Sequence, residues 1–361
     1  MSPLLADFIA VLLATLAAWV LPAVVMSGLA PALAEGRVVP NYRGRSVYPG
    51  LGLAWMVWVV GLLAVRVVVE AAGAVFPALQ DAAFHLFSGA LGVAFTGMPL
   101  LLVVVAFAFG LADDVFGTSG HKGFRGHLRA LRTGRVTTGA LKLFGIGIVA
   151  MFYGWTASAR VVPLAVDGTV DILPRILAWI LATLVIGLAS NVFNLLDLRP
   201  GRALKMYVVA AVPLAIAFAH AVMSGYSEFA ASVGDSVGAA ATVSTTESVA
   251  MALTSLIVLI GPAMAIWRFD LGERGMLGDA GSNVLGVITG FLLVGVLPLW
   301  GFAVAAAVLL ALNLAAEKIS FSRVIEGVGL LRWLDSLGRE TVEEEGSPAE
   351  RVGDPSSPEE E

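Results

Sequence analysis

The residues best able to support chemistry are four aspartates: Asp113 and Asp114 side by side, Asp197, and Asp279 among glycines. Adjacent carboxylates repel and raise each other's pKa unless a cation sits between or beside them. Hard divalent cations take oxygen ligands, and Mg²⁺ is typically held by one or two carboxylates together with substrate phosphates. An isolated Asp-Asp pair is also an ordinary solvated loop start. The stretch from Lys122 to Arg135, with Arg125, Arg129 and Arg132 between, follows at once. It reads either as a phosphate-binding surface beside a metal site or as the basic decoration common on one side of a membrane protein.

Two further segments have the right residue types. In Asn191-Val-Phe-Asn194-Leu-Leu-Asp197 the polar positions recur at helical spacing and share roughly one face. Two amides and a carboxylate there suit hydroxyls, amides or a metal, although amides also cap helix ends. In Gly278-Asp279-Ala-Gly281-Ser282 the glycines let a backbone approach a phosphate, and a helix N-terminus attracts anions. Asp279 argues for metal plus phosphate over an anion alone. No Gly-Lys-Ser/Thr follows, so this is not a Walker loop. Pro40 to Arg45 and Glu317 to Glu326 are also polar, and read equally well as interfacial anchors and a helix terminus.

The elements that must position these residues are apolar helices. Of 361 residues, 58% are hydrophobic and 14% charged, against about 25% charged in an ordinary soluble domain. A bilayer core about 30 Å thick needs roughly 20 apolar helical residues. The expected spans are Leu4–Leu29, Leu51–Val69, Ala90–Leu111, Ala140–Thr156, Ile172–Leu188, Met206–Met223, Val249–Trp267, Val284–Leu297 and Gly301–Ala316. The last two could instead form a re-entrant hairpin. The fold class is therefore all-α and polytopic, with about nine (eight to ten) transmembrane helices. The first run lacks a basic leader and is too long for a cleavable signal, so it reads as a retained span. Residues 70–88 suggest an outer interfacial helix or loop, and residues 224–247 an outer loop.

All Lys and Arg except Arg66, Arg160 and Arg175 fall after odd-numbered spans. By the positive-inside rule those loops are cytoplasmic, the N-terminus outside and the C-terminus inside. Parity then gathers the four aspartates on the cytoplasmic face. The net charge of −5 arises in residues 340–361, an acidic segment too poor in apolar residues to fold; residues 1–339 are the membrane domain. With no cysteine, disulfides and thiolate metal sites are excluded.

At these residues the sequence resembles the polyprenyl-phosphate N-acetylhexosamine-1-phosphate transferase superfamily, glycosyltransferase family 4, which includes the phospho-MurNAc-pentapeptide translocases and GlcNAc-1-phosphate transferases. The signatures are Asp113-Asp114, Asn191-x-x-Asn194-x-x-Asp197 and Gly278-Asp279-Ala-Gly281-Ser282, in that order. The resemblance implies transfer of a sugar-1-phosphate from a UDP-sugar to a polyprenyl phosphate such as undecaprenyl phosphate, at the cytoplasmic face of the plasma membrane, beginning a cell-envelope glycan. It implies Mg²⁺, with Mn²⁺ as an alternative, held by Asp279 and shared with Asp114. Asp113 and Asp114 would orient or deprotonate the lipid phosphate. Asn191, Asn194, Asp197 and Ser282 would contact the nucleotide sugar, and Lys122, Arg125, Arg199, Lys205 and Lys142 would hold phosphates. A homodimer is compatible, and no nucleic-acid partner is expected.

Departures mark a divergent branch. Asp197-Leu-Arg-Pro200-Gly201 lacks the family's second acid, and no His follows His220, where a His-rich motif is usual. A catalytically inactive scaffold or regulator is thus an alternative. A transporter or flippase fits less well, because such proteins carry ionisable residues near the bilayer midplane.

Overall fold

The computed structural model describes residues 3–73, 98–117, 126, 130, 132–134, 136–163, 171–233 and 245–339. Lys122, Arg125 and the acidic segment 340–361 lie outside the described residues, as do residues 74–88 of the first expected outer connection and 234–244 of the second. Among the described residues, nine helices are long and apolar enough to cross a membrane. The chain is a mostly helical, multi-pass membrane protein.

The first span is α1 (Pro3–Thr15) and α2 (Leu21–Glu35), joined by a π-helical turn over Leu16–Val20. Pro22 lacks the N–H that would bond one turn back, so the ladder widens there. A hairpin of β1 (Val39–Pro40) and β2 (Ser46–Pro49) follows, antiparallel with Val39 opposite Val47. Next come α3 (Leu53–Gly73), α4 (Met98–Phe116), α5 (Thr138–Val161), α6 (Ile172–Leu196), α7 (Arg202–Val233) and α8 (Thr245–Leu271). Strand β3 (Gly275–Met276) then pairs in parallel with β2, Tyr48 opposite Gly275, so this mostly helical protein carries a small three-stranded sheet. The chain continues through α9 (Gly278–Val296), α10 (Leu299–Ala316), α11 (Phe321–Gly327) and α12 (Gly329–Ser336).

Helix α9 is the axle, packed against α4, α6 and α7. Nearly all of its residues are buried. Small residues allow this, since packing between membrane helices depends on close backbone approach. A Cβ on Gly290 would stand 2.7 Å from the Ile186 Cα, and one on Gly52 would stand 2.6 Å from the Gly281 nitrogen. At the opposite end, Arg160 donates to the carbonyls of Val294 and Leu297, supplying donors to the C-terminal carbonyls of α9.

Several expected boundaries move in one direction. Asp113 and Asp114 lie in the last turns of α4, Asn191 and Asn194 within α6, and α9 begins at Gly278 instead of Val284. Hydropathy ends a span at the first polar cluster, but here those polar groups face other helices and are satisfied there. Likewise α7 runs helically to Val233, past the expected start of a loop at Ser224. The final two spans are separate helices of 19 and 18 residues, joined at Leu297-Pro298. At about 1.5 Å per residue they are about 27–29 Å long, near the thickness of a bilayer core.

Candidate functional site

The four aspartates converge around the N-terminus of α9. Gly278 opens that helix with φ +67°, a conformation glycine adopts without penalty. A Cβ there would also lie 2.6 Å from the Asp114 carboxylate. That carboxylate, reaching from α4, accepts the N–H of Asp279 at 2.8 Å through one oxygen and that of Ala280 at 2.9 Å through the other. Asp114 thus caps a helix to which it is not joined in sequence, satisfying two of the first-turn donors with a negative charge at the positive end of the dipole.

Asp279 is held from two sides. Lys142, at the start of α5, donates to it at 2.6 Å, and Asn194 on α6 donates to its other oxygen at 2.6 Å. Asn194 lies 3.3 Å from the Ser282 hydroxyl. Lys142 also approaches Asp113 at 3.5 Å, so one ammonium serves two carboxylates. Its side chain is 9% exposed, against 21% for Asp113 and 28% for Asp279. The cation is sheltered and the acids open outward.

Asp197 follows the last residue of α6. Its carboxyl is pushed well above the usual range, first by burial and then by the neighbouring Asp270, Asp279 and Asp114, with the Gly278 N–H opposing. Asp270 escaped the sequence reading. It is buried in the last turn of α8 and accepts the Gly201 N–H at 2.8 Å. The available signal was a lone acid closing a span on the face that carries the others.

The remaining candidates divide. Asn191 binds Asn313 on α10 at 2.5 Å, away from the aspartates. A small recess, partly open and with a cavity volume of about 20 Å³, lies between Lys142 and Ile146 on α5, Ser190 and Asn191 on α6, and Asn283 on α9. The buried Asn283 Nδ2 has no protein partner there. Arg199 pairs with Glu326 of α11 and stacks 4.7 Å from the Tyr42 ring centre. Lys205 donates to the Leu334 and Asp335 carbonyls of α12. These two bases, expected at phosphates, are engaged by the C-terminal helices.

Above the site the first connection is pinned by Glu273, which has φ 51°. Its carboxylate takes a 2.9 Å hydrogen bond from Asn41 and lies 3.4 Å from Arg43 and 3.9 Å from Arg45. Arg37 donates to the Asp114 and Val115 carbonyls at 2.6 Å, neutralising the C-terminal end of α4.

The donor set suits a divalent cation. Among the described residues, Asp113, Asp114, Asp197 and Asp279 outnumber Lys142, the base bonded among them. Among the described residues, no three acidic or histidine side chains converge tightly enough to enclose a metal. Mg²⁺ keeps waters and is bound through one or two carboxylates plus substrate phosphates, so it does not require such a cluster. Asp279 and Asp113, whose side chains open outward, would hold it, Asp279 by exchanging its Lys142 or Asn194 bond, whereas both Asp114 oxygens accept backbone N–H groups that fix the start of α9.

Compared with known protein families, the chain matches none, and no curated protein matches it either.

Proposed function

We propose that the chain is a membrane-embedded phosphotransferase that moves a sugar-1-phosphate, N-acetylhexosamine-1-phosphate by resemblance, from a UDP-sugar to a polyprenyl phosphate. The observation that carries this reading is the aspartate cluster at the N-terminus of α9, bonded to Lys142, at one end of the nine apolar helices among the described residues. One substrate of such a reaction is water-soluble and the other lipid-bound, so the site belongs at a membrane boundary. Charge asymmetry argues that this boundary is cytoplasmic.

An oxygen of the lipid phosphate attacks the sugar-linked phosphorus. A new P–O–P bond forms, the bond between the two nucleotide phosphorus atoms' bridging oxygen and the attacked phosphorus breaks, and UMP leaves with the bridging oxygen. Phosphoryl transfer needs mainly positioning and charge neutralisation. A phosphate's second pKa of about 6 leaves the attacking group largely ionised, so Asp113 and Asp114 are not required as strict bases. Asp114 fixes the α9 N-terminus, whose dipole attracts phosphate. Lys142 supplies positive charge, and Asn194 and Ser282 offer amide and hydroxyl groups. Mg²⁺, when bound, would neutralise the developing phosphate charge.

A second reading is favoured by the saturation of the same groups: both Asp114 oxygens, and both Asp279 oxygens, already have protein partners. A non-catalytic homologue acting as scaffold or regulator would retain such a network purely to lock four helices. Purified protein given polyprenyl phosphate, Mg²⁺ and a panel of UDP-sugars is expected to release UMP. Absence of release with every nucleotide sugar would leave the scaffold reading.

A further inference from the structure

Helix α12 is amphipathic and its two faces meet different surroundings. Leu330, Trp333 and Leu334 recur at helical spacing along one side, and Leu337 follows just past the end of the helix. They are exposed by 65%, 57%, 42% and 42%. The other side carries Arg332, Asp335 and Ser336. Asp335 ties that side to the bundle: Arg202, the first residue of α7, grips its carboxylate with two bonds of 2.9 and 3.1 Å, and Arg339 adds a third at 2.8 Å. Arg202 and Asp335 are both nearly sealed from solvent, at 3% and 8% side-chain exposure. Arg202 also donates to Ser322 of α11 at 3.0 Å, so the two short helices are anchored together.

This anchoring fixes where the apolar side can go. Arg202 opens a candidate membrane span, and α10, another, ends at Ala316, a few residues before α11. The helix pair therefore sits at the membrane boundary on the aspartate face, with its large apolar side chains turned away from the protein. Ile319 and Val324, also exposed, lie in the short stretch of chain between α12 and the exposed apolar residues of α10. Lys318, Arg323 and Arg332 are exposed along the same segment, the charge that favours anionic headgroups. Aromatic and aliphatic residues opposite a polar, basic face are the pattern of a helix lying in the plane of the interface.

We propose that α12, with α11, is a membrane-surface element: Leu330, Trp333, Leu334 and Leu337 insert at the headgroup–acyl boundary of the leaflet on the aspartate side, while Asp335 holds the helix to the bundle. This depends only on the membrane reading and not on the proposed chemistry.

The absence of cysteine permits a direct test with the full chain. Single nitroxide labels are introduced at Leu334→Cys and, as the opposite-face control, Ser336→Cys, with the protein reconstituted in phosphatidylcholine–phosphatidylglycerol vesicles. The label at 334 is expected to collide several-fold more with dissolved oxygen than with a water-soluble nickel chelate, and the label at 336 to show the reverse. Equal access of the chelate to both positions would overturn the proposal. Spin–spin broadening at 334 that disappears on dilution with unlabelled protein would also overturn it, assigning the face to a second copy of the chain. A variant that fails to fold would lose the contrast at both positions and the monodisperse elution of the parent; Leu330→Cys then supplies the same comparison.

Discussion

The carboxylate of Asp114 spans the first turn of the helix that carries Asp279, one oxygen on the Asp279 N–H and the other on that of Ala280. One acid therefore aims another: the position of Asp279 depends on a side chain 165 residues earlier. Asp114→Asn preserves shape but puts an NH₂ group opposite a backbone N–H. The loss of a charge-assisted bond and of a favourable dipole interaction is expected to lower stability by about 1–3 kcal/mol. It is also expected to reduce UMP release at least tenfold. Thermal unfolding in detergent, followed beside the UMP assay, measures both; an unchanged midpoint would deny the capping role.

Lys142 bonds to two carboxylates, so its removal leaves acids facing each other. Lys142→Met is expected to destabilise by about 1–3 kcal/mol, less than for a fully buried pair because Asp113 and Asp279 retain solvent contact. Combining it with Asp279→Asn should recover part of that loss while activity stays absent. Equal midpoints for the single and double variants would mean that repulsion within the cluster is not the cause.

How much of this was legible in the sequence follows from which residues bond along the chain and which bond across it. Nine apolar runs announce themselves through composition, and the aspartates stand out because charge at the edge of such runs is expensive. Span ends extend where polar groups face protein: the apolar run ends at Leu188, yet the α6 span reaches Leu196 because Asn313 and Asp279 receive Asn191 and Asn194, the residues whose helical spacing is legible in the sequence. Arg199 and Lys205 read as phosphate ligands by type, whereas their partners, Glu326 and the Leu334 and Asp335 carbonyls, are more than a hundred residues away. Asp270 and Glu273 were invisible for the same reason. Residue type signals charge, but only tertiary structure decides which charge meets which.

The Arg202–Asp335 tie predicts a pH dependence with a definite sign. Burial alone would raise the Asp335 carboxyl, but hydrogen bonds from Arg202 and the charges of Arg339, Arg202 and Lys205 outweigh it and hold it below the usual 3.8. A carboxyl with a depressed folded pKa contributes stability that is present above its ordinary value and lost as pH falls through the folded one. The stability gap between wild type and Asp335→Asn should therefore be constant from about pH 7 to about pH 5 and close below about pH 4. A gap independent of pH down to about pH 3 would show that the tie is not ionic.

Gly278 combines two demands that can be separated. Its φ of +67° disfavours any residue with a Cβ, and the Cβ would sit 2.6 Å from the Asp114 Oδ2. The carboxylate cannot retreat without releasing the Asp279 and Ala280 N–H groups, so strain and a broken cap arrive together. Gly278→Ala is expected to cost about 2–4 kcal/mol, the sum of a left-handed conformation and a lost charged cap. Gly327, where an added Cβ meets nothing within 4 Å, is the control, and Gly327→Ala should change stability little. Combining Gly278→Ala with Asp114→Ser, which shortens the offending side chain, isolates the steric part. If the collision dominates, the double variant will be more stable than Gly278→Ala alone; if backbone strain dominates, the two substitutions will add.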